Sequence, residues 1–358
     1  MPFNSAYPYD LPFLPPRDDL INVSSMSLLI KARAELGELK GYSSGMPNQL
    51  LLLSPAIIKE SLASSEIENI NTTIINVFQN QLFPEAEQRQ PDKEVLRYRD
   101  AVIEGFESLK KYGLTTRAIL DIKKVLIPDL PMAYRTTQNG IKNNTTGEIL
   151  YLPPEASKIN GLMGNLEKFI NSSNDELDPL IKCAIMHYQF EAIHPFSDGN
   201  GRAGRILMVL YLVQQNILNF PILYISGYIN KNKTEYYKLL LNVTSSHDWN
   251  SYISFMLQAY YLQAKETKEL LFKIMNSHYE FKKLLKKDHR KIYSADLAEA
   301  LYAFPIITPA KLATELDVHR DTASGYLKRL KSAGLLVEKK VGRYHFYSNK
   351  NLITIIYK

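Results

Sequence analysis

The sequence predicts a mainly α-helical protein that carries one β-hairpin and ends in a small basic module with two strands. Apolar residues recur at helical spacing through most of the 358 residues. Residues 135–152 are instead rich in Thr, Asn, Gly and aromatic side chains, which is typical of a hairpin. Of the last 108 residues, 19 are basic and 10 are acidic, so a separate C-terminal module is expected.

The N-terminal elements follow from composition and spacing. The first 17 residues contain five prolines and four aromatics, a composition that predicts an extended arm lying on the body. The second predicted helix has Ser54 as its N-cap and Pro55 in its first turn, where a missing N–H costs nothing. Helices are predicted over residues 22–39, 48–71, 93–112 and 115–125.

The middle of the chain combines the hairpin with further helices. Its strands are predicted near Arg135–Lys142 and Glu148–Leu152. Asp178 and Pro179 suit the start of a helix, as N-cap and first residue. Helices are predicted over residues 156–171, 178–190, 203–217, 232–244 and 248–287.

The C-terminal module has a recognisable order of elements. Residues 308–316 predict a short helix, residues 320–333 a second, basic one, and Gly334 fits its C-terminal cap. Two strand-like runs follow, and the whole resembles a winged helix-turn-helix. Its basic helix could contact DNA phosphates; dimerisation or docking of a target protein is an equal alternative.

Composition excludes several classes of protein. Residues 1–250 hold 24 basic and 27 acidic residues, so the excess behind a formal charge of +6 belongs to the last third. The sequence contains no run of about 18 apolar residues, so no membrane span is predicted. The N-terminus lacks the pattern of a secretory signal. The single Cys183 cannot form an internal disulfide, which fits a reducing cytosol and predicts a cytoplasmic protein.

The segment HPFSDGNGRAGR, residues 194–205, concentrates polar and glycine residues immediately before a helix. Three of the 16 glycines fall within six residues. Glycines at a helix N-terminus let backbone N–H groups approach phosphate oxygens, and Arg202 and Arg205, three apart, add two guanidinium groups on one face. For the glycines alone, a tight structural loop is the simpler interpretation.

Two further side chains give the segment a chemistry. Asp198 is its one carboxylate, and Mg²⁺ bound to phosphates needs one or two such ligands. His194 is the group that can accept a proton near neutral pH. No Gly-Lys-Ser/Thr follows the glycines, so the segment is not a P-loop.

The whole segment resembles the Fic family signature HPFxDGNGRxxR, at every fixed position. The resemblance implies a Fic-type helical domain with a β-hairpin flap, followed by the winged helix-turn-helix, and transfer of AMP from ATP to a Ser, Thr or Tyr hydroxyl. It implies that His194 is the general base and that Asp198 holds Mg²⁺. The remaining nucleotide-binding residues that it implies are Gly199, Asn200, Gly201, Arg202, Ala203, Gly204 and Arg205. Doc-type relatives that phosphorylate have lysine where this chain has Gly201-Arg202, which favours AMP transfer.

A second match lies upstream, at Ser64-Ser65-Glu66-Ile67-Glu68-Asn69. It resembles the family's inhibitory helix motif (S/T)xxxE(G/N), which would give Ser64, Glu68 and Asn69 an inhibitory role. Ser64 and Glu68 are four residues apart and are expected to share a helix face. In relatives this glutamate pairs with the second loop arginine, here Arg205, at the γ-phosphate position. In some relatives it also supports removal of AMP, and the sequence leaves that alternative open.

The resemblance extends to softer features. The hairpin corresponds to the family's flap, where Gln138, Asn139, Gly140, Ile141 and Lys142 would lie nearest the nucleotide and target. A flap edge can pair with an extended target segment. Tyr236 matches a position that packs adenine in relatives, with core packing as the alternative.

These observations lead to one functional hypothesis and its alternatives. The hypothesis is a protein adenylyltransferase, autoinhibited by Glu68, with ATP and Mg²⁺ as cofactors and with a hydroxyl-bearing target protein and itself as acceptors. The alternatives are a nucleotide-sensing DNA-binding regulator, or a Fic enzyme that uses another donor or removes AMP. A homodimer is a candidate assembly. The expected division is residues 1–92 with the inhibitory motif, 93–265 as the catalytic domain, and 266–358 as linker helix and winged helix-turn-helix.

Overall fold

The computed structural model describes residues 3–17, 20–45, 49–142, 146–172 and 177–357, which are mainly helical with two small sheets. The α-helices are α1 (Val23–Ser44), α2 (Gln49–Ile67), α3 (Ile74–Asn80), α4 (Gln90–Tyr112), α5 (Thr116–Leu126), α6 (Ile159–Asn171), α7 (Pro179–Ile193), α8 (Asn200–Gln214), α9 (Ile225–Lys231), α10 (Lys233–Ser246), α11 (Trp249–Asp288), α12 (Ala295–Ala303), α13 (Pro309–Leu316), α14 (Arg320–Ser332) and α15 (Lys350–Tyr357). The strands are β1 (Ile141–Lys142), β2 (Ile149–Tyr151), β3 (Ile306–Ile307), β4 (Val337–Val341) and β5 (Tyr344–Ser348). Among the described helices, none is both long and apolar enough to cross a membrane.

The described chain divides into two compact units. The first contains residues 1–40 and 97–264, and the second contains residues 41–96 and 265–358. Each unit is therefore built from two separate stretches of chain. The linear three-part division expected from the sequence stays a prediction.

The core of the first unit is the antiparallel pair α7 and α8. Both helices are buried along most of their length, and they pack against each other and against α6 and α5. The Asp178 carboxylate caps α7 by accepting the Leu180 N–H at 2.8 Å, and Pro179 follows as the first helical residue. This confirms the predicted start of the helix.

The flap in the first unit is shorter than predicted. Strand pairing joins Ile141 to Tyr151 and Lys142 to Ile149, whereas residues 135–140 lie outside any strand. Groups of this stretch bond elsewhere: the Arg135 N–H donates to the Pro195 carbonyl at 2.8 Å, and the Gln138 side chain donates to the Pro153 carbonyl at 2.8 Å. The tip of the hairpin, at residues 143–145, lies outside the described residues.

The N-terminal arm forms no helix or strand in its described residues 3–17. Its contacts within the first unit include the Tyr9 N–H donating to the Leu152 carbonyl at 2.9 Å. Leu14 and the Asn165 side chain exchange two hydrogen bonds, at 2.8 and 3.1 Å. The arm therefore lies on the body, as its composition predicts, and contacts the residue that follows β2.

The second unit contains the C-terminal module and the helix with the inhibitory motif. Its sheet has the antiparallel order β3-β5-β4. The two predicted helices and the two strand-like runs correspond to α13, α14, β4 and β5, and α12 and β3 precede them. Leu297, Leu312, Leu327 and Tyr347 share its apolar core. The sequence-based prediction missed the short elements α12, β3 and α15, although Ser294 caps α12 by accepting the Leu297 N–H at 3.0 Å.

The start of α2 is a correction to the sequence-based prediction. The helix begins at Gln49, so Pro55 lies inside it and Ser54 is not its N-cap. A proline inside a helix removes one hydrogen bond of the backbone ladder. The helix continues through that defect and packs against α12 and α15 within the second unit.

Candidate active site

The candidate site is the connection between α7 and α8. His194 ends α7 in the left-handed conformation, with φ 49° and ψ 58°, and its N–H donates to the Phe190 carbonyl. Gly199 precedes α8 with φ 80°. A Cβ on Gly199 would lie 2.7 Å from the Ile127 Cδ1 atom, so both conformation and space require glycine there.

Asn200 braces the loop. Its side-chain oxygen accepts the Phe196 N–H at 2.8 Å, and its side-chain nitrogen donates to the Phe196 carbonyl at 2.9 Å. The Phe196 ring is fully buried. Both polar atoms of the Asn200 side chain thus bond within the loop. The group of Asn200 that suits the predicted phosphate cradle is its backbone N–H. The first N–H groups of α8 have no acceptor inside the helix, which makes its N-terminus suited to an anion.

The His194 imidazole is half-buried at the start of this loop. Its Nδ1 atom lies 3.4 Å from the Glu191 carbonyl. A carbonyl only accepts, so this contact is a hydrogen bond in the tautomer that carries its proton on Nδ1. In that tautomer the Nε2 atom has the lone pair that a general base needs.

The charged groups of the loop differ strongly in exposure. The Arg202 side chain is 4% exposed and that of Asp198 is 65% exposed, with 3.9 Å between Arg202 Nη2 and Asp198 Oδ2. Arg205 is also buried. The positive charges of Arg202 and Arg205 are therefore buried at the start of α8, while the Asp198 carboxylate is exposed to solvent.

Asp198 is the residue that fits a divalent cation. Its Oδ1 atom accepts the Gly199 N–H at 2.6 Å, which orients the carboxylate, and the side chain as a whole is mostly exposed. Mg²⁺ is commonly held by one protein carboxylate together with phosphate oxygens and water. No cluster of three His, Cys, Asp or Glu side chains that could hold a metal by itself occurs among the described residues.

A polar layer lies beneath α8. The His187 Nε2 atom is 2.7 Å from the Tyr236 hydroxyl, and both side chains are buried. A Cβ on Gly204 would collide with the Glu191 carboxylate and would approach the His187 Nδ1 atom at 3.2 Å. Burial, reinforced by the charge of Arg205, lowers the pKa of His187 to about 3, so this histidine stays neutral.

The structure places Tyr236 in the core, since its side chain is 1% exposed. Its neighbour Tyr237 is 43% exposed and is the member of the pair that offers a surface to a ligand. Sequence reasoning did not single out His187 as the partner of Tyr236. The one available signal is the placement of His187 seven residues before His194, about two helical turns along α7.

The structure brings the predicted flap residue Asn139 into hydrogen-bond contact with the loop between α7 and α8. The Asn139 side-chain nitrogen donates to the Phe196 carbonyl at 3.2 Å. Gln138 instead donates across the flap, to the Pro153 carbonyl at 2.8 Å. Ile141 and Lys142 form β1. The N-terminal arm contacts the chain just after β2, where the Tyr9 N–H donates to the Leu152 carbonyl.

The inhibitory motif lies at the end of α2, in the second unit. Ser64 is fully buried, whereas Glu68 is exposed and follows the last helical residue, Ile67. The expectation that Ser64 and Glu68 share a helix face is therefore wrong, because the helix ends between them. Asn69 has φ 62°, a conformation that glycine and asparagine tolerate best, which explains the residue types allowed after the glutamate.

Comparison with known proteins places this architecture in a family. The profile described as Fic/DOC family N-terminal matches residues 26–107, and the one described as Fic/DOC family matches residues 113–212. A third, described as Protein adenylyltransferase SoFic-like, C-terminal domain, matches residues 278–352. The two Fic/DOC profiles together span half of the chain.

Relatives of known sequence match over a short part of the chain. The probable protein adenylyltransferase of Aquifex aeolicus is 38% identical over 69 residues, which are 19% of this chain and 21% of that protein. The protein adenylyltransferase Fic of Aedes aegypti is 42% identical over 65 residues, 18% of this chain and 13% of that protein. The chain thus matches about a fifth or less of the length of these relatives.

Solved structures show the same fold over more of the chain. A Fic family protein from Desulfovibrio desulfuricans G20 has a TM-score of 0.58 and 22% identity, with 94% of this chain and 98% of that chain covered. Fic-1 from C. elegans has a TM-score of 0.53 and 17% identity, with 70% and 74% covered. Both likenesses concern the fold. The two Fic/DOC profiles, which together span half of its length, show that the chain belongs to the Fic/DOC family.

Proposed function

We propose that this protein transfers AMP from ATP to a Ser, Thr or Tyr hydroxyl of a target protein and of itself, releasing pyrophosphate. One observation carries the proposal. His194, whose Nδ1 contact suits a tautomer with Nε2 as acceptor, lies just before the start of α8, where Arg202 and Arg205 are buried. The two relatives described above are named protein adenylyltransferases, which supports the same reaction.

The chemical steps follow from these groups. The His194 Nε2 atom takes the proton of the attacking hydroxyl, whose oxygen forms a bond to the α-phosphorus. The bond from that phosphorus to the bridging oxygen breaks, and pyrophosphate leaves with the electron pair. Backbone N–H groups at the start of α8 and the guanidinium of Arg202 neutralise charge on the phosphates, so catalysis is mainly positioning and electrostatic stabilisation.

A divalent cation is expected to accompany the nucleotide. Asp198 would hold it, and Mg²⁺ when bound would neutralise phosphate charge and fix the orientation of the triphosphate. The orientation matters because it decides whether the α- or the γ-phosphorus faces His194. Retention of Gly201-Arg202 in the loop favours the α-phosphorus.

The target is proposed to bind along the flap. An extended segment can add to the edge of β1 by main-chain hydrogen bonds, because the N-terminal arm already contacts the chain just after β2, at Leu152. Such pairing recognises the backbone of the target segment and not its side chains. It therefore brings any suitably placed hydroxyl towards the same imidazole.

Glu68 is proposed to hold the enzyme inactive. Its carboxylate would pair with Arg205 and occupy the place of the γ-phosphate, as the motif of residues 64–69 implies. Substitution by glycine removes the carboxylate. Glycine is also compatible with this position, which lies just after the end of α2 and just before Asn69 with its positive φ.

The test compares Glu68→Gly with Glu66→Gly by intact mass after incubation with Mg²⁺ and ATP, GTP, CTP or UTP in turn. Glu66 is a matched control because it is an exposed glutamate in the last turn of the same helix. We expect an AMP-sized adduct on Glu68→Gly with ATP, and little on Glu66→Gly. An adduct from another nucleotide reassigns the donor, and equal labelling of both variants removes the inhibitory role of Glu68.

A further inference from the structure

Arg135 occupies an unusual position at the entrance of the flap. Its side chain is almost fully buried, and its guanidinium donates to three backbone carbonyls. The Nε atom reaches the His194 carbonyl at 2.9 Å, the Nη1 atom reaches that of Thr137 at 3.0 Å, and the Nη2 atom donates to that of Pro154. The Arg135 backbone N–H donates to the Pro195 carbonyl at 2.8 Å.

These acceptors belong to three different parts of the first unit. His194 and Pro195 open the catalytic loop, Thr137 lies on the chain entering the flap, and Pro154 lies on the chain leaving it. A guanidinium offers five N–H donors in a planar, rigid fork, and three carbonyl acceptors use that geometry well. One side chain thus fixes both ends of the flap to the backbone of the proposed base.

Tyr151 supports the same connection from β2. Its hydroxyl donates to the Ala192 carbonyl at 2.8 Å, two residues before His194. The Phe3 ring stacks on Tyr151 from the N-terminal arm, with 6.3 Å between centroids. The exit strand is therefore also held against the end of α7, and Arg135 is the residue that joins both ends at once.

We propose that Arg135 is a positioning residue that sets the distance between the flap edge and the His194 imidazole, and so controls delivery of the target hydroxyl. This inference rests on the proposed AMP transfer. The nucleotide phosphates are expected at the start of α8, which Asn200 braces through Phe196. Loss of Arg135 should therefore weaken delivery of the acceptor and leave ATP binding intact.

The experiment places Arg135→Gln and Arg135→Lys in the Glu68→Gly protein. Arg117→Gln is the matched control, because Arg117 belongs to the same unit but is mostly exposed and pairs with Asp121 on α5. Three quantities are measured: hydrogen exchange of residues 136–142 and 146–153, affinity for Mg–ATP, and the rate of AMP addition by intact mass. The lysine variant keeps the positive charge but cannot span three carbonyls.

We expect faster flap exchange in both Arg135 variants, unchanged affinity for Mg–ATP, and transfer slower by about 10²-fold, the effect of a misplacement of about 1 Å. Arg117→Gln should match the parent. If Arg135→Gln fails to fold, the same comparison is made with Arg135→Lys.

Unchanged flap exchange, or a loss of transfer explained by weaker ATP binding, overturns the inference. Transfer at the parental rate in Arg135→Gln rejects this inference alone. Absence of any adduct on the Glu68→Gly parent rejects the proposed function itself, so the two failures are distinguishable.

Discussion

The start of α8 in the first unit and the winged helix-turn-helix module in the second differ in how far their charged side chains are exposed. At the start of α8, Arg202 and Arg205 are buried. In the module, Lys328, Arg329 and Lys339 are exposed, and other charged residues form ion pairs at the surface. Burying a guanidinium costs free energy that strong hydrogen bonds or a bound anion must offset, whereas exposed pairs contribute little.

This difference in exposure indicates what kind of ligand or partner each region suits. Fixed, buried positive charge at the start of α8 is suited to one ligand in one orientation. Exposed charge on the winged module is suited to weaker contact with a partner of opposite sign. The predictions below compare matched substitutions in the two kinds of environment.

The largest effect is expected from His194→Ala. Removal of the base should lower AMP transfer by about 10²- to 10⁴-fold, measured by intact mass in the Glu68→Gly protein. The matched control is His247→Ala, since His247 ends α10 in the same left-handed conformation, with φ 57°. Both substitutions place alanine at positive φ, so an equal loss of activity in the control would assign the effect to the backbone.

Glycine-to-alanine substitutions should change stability in opposite directions in the two regions. Gly204→Ala should destabilise the first unit by about 1–3 kcal/mol, because its Cβ would meet Glu191, Phe190 and His187. Gly325→Ala in α14 has open space around the new Cβ and should stabilise by about 0.5–1 kcal/mol. Urea unfolding measures both, and a shift of the same sign would contradict the packing described here.

Acid should destabilise the first unit through His187. Its pKa is about 3 when folded, against 6.5 for a free histidine, so below pH 6.5 the unfolded chain binds a proton that the folded chain does not. Stability is fully present above that pH and should fall by about 2 kcal/mol between pH 6.5 and 5. His187→Gln should show a pH dependence weaker by that amount in urea unfolding, and equal slopes would be inconsistent with a neutral buried imidazole.

The smallest effect concerns Glu338 in the winged module. Its carboxylate accepts from Lys331 at 2.5 Å, His345 at 2.6 Å and Tyr347 at 3.2 Å. These bonds lower the pKa of Glu338 from 4.5 to about 2, so their contribution is present above pH 4.5 and is lost as the pH falls towards 2. Glu338→Gln should lower the free energy of unfolding by about 0.5–1 kcal/mol at pH 7. Glu315→Gln loses one helical ion pair with Lys311 and should lower it by about 0.3–0.5 kcal/mol. A larger loss in Glu315→Gln would reverse the expected order.

The sequence was most informative where local chemistry decides the structure. Asp178 and Pro179 predicted the start of α7, and the segment from His194 to Arg205 predicted the turn into α8, because capping and glycine requirements depend on neighbours in the chain. The helix-turn-helix was predictable for the same reason, since Asp317 and Gly334 take the left-handed conformations that end its helices.

The remainder depended on contacts between distant residues. Pro55 indicates a helix start by local rules, yet α2 begins six residues earlier and packs within the second unit. The strand predicted from Arg135 is shortened because the Arg135 guanidinium bonds to His194 and Pro154. Tyr236 has a core position because its hydroxyl meets His187, 49 residues away in the chain.

The central claim is transfer of the α-phosphorus, and the position of a radiolabel tests it most directly. The Glu68→Gly protein is incubated with Mg²⁺ and ATP labelled at either the α- or the γ-phosphate, with Glu68→Gly/His194→Ala as control. The account predicts that the α-label stays on the protein, that the γ-label leaves with pyrophosphate, and that the control takes up neither. A γ-label on the protein, or an α-label that persists without His194, would contradict it.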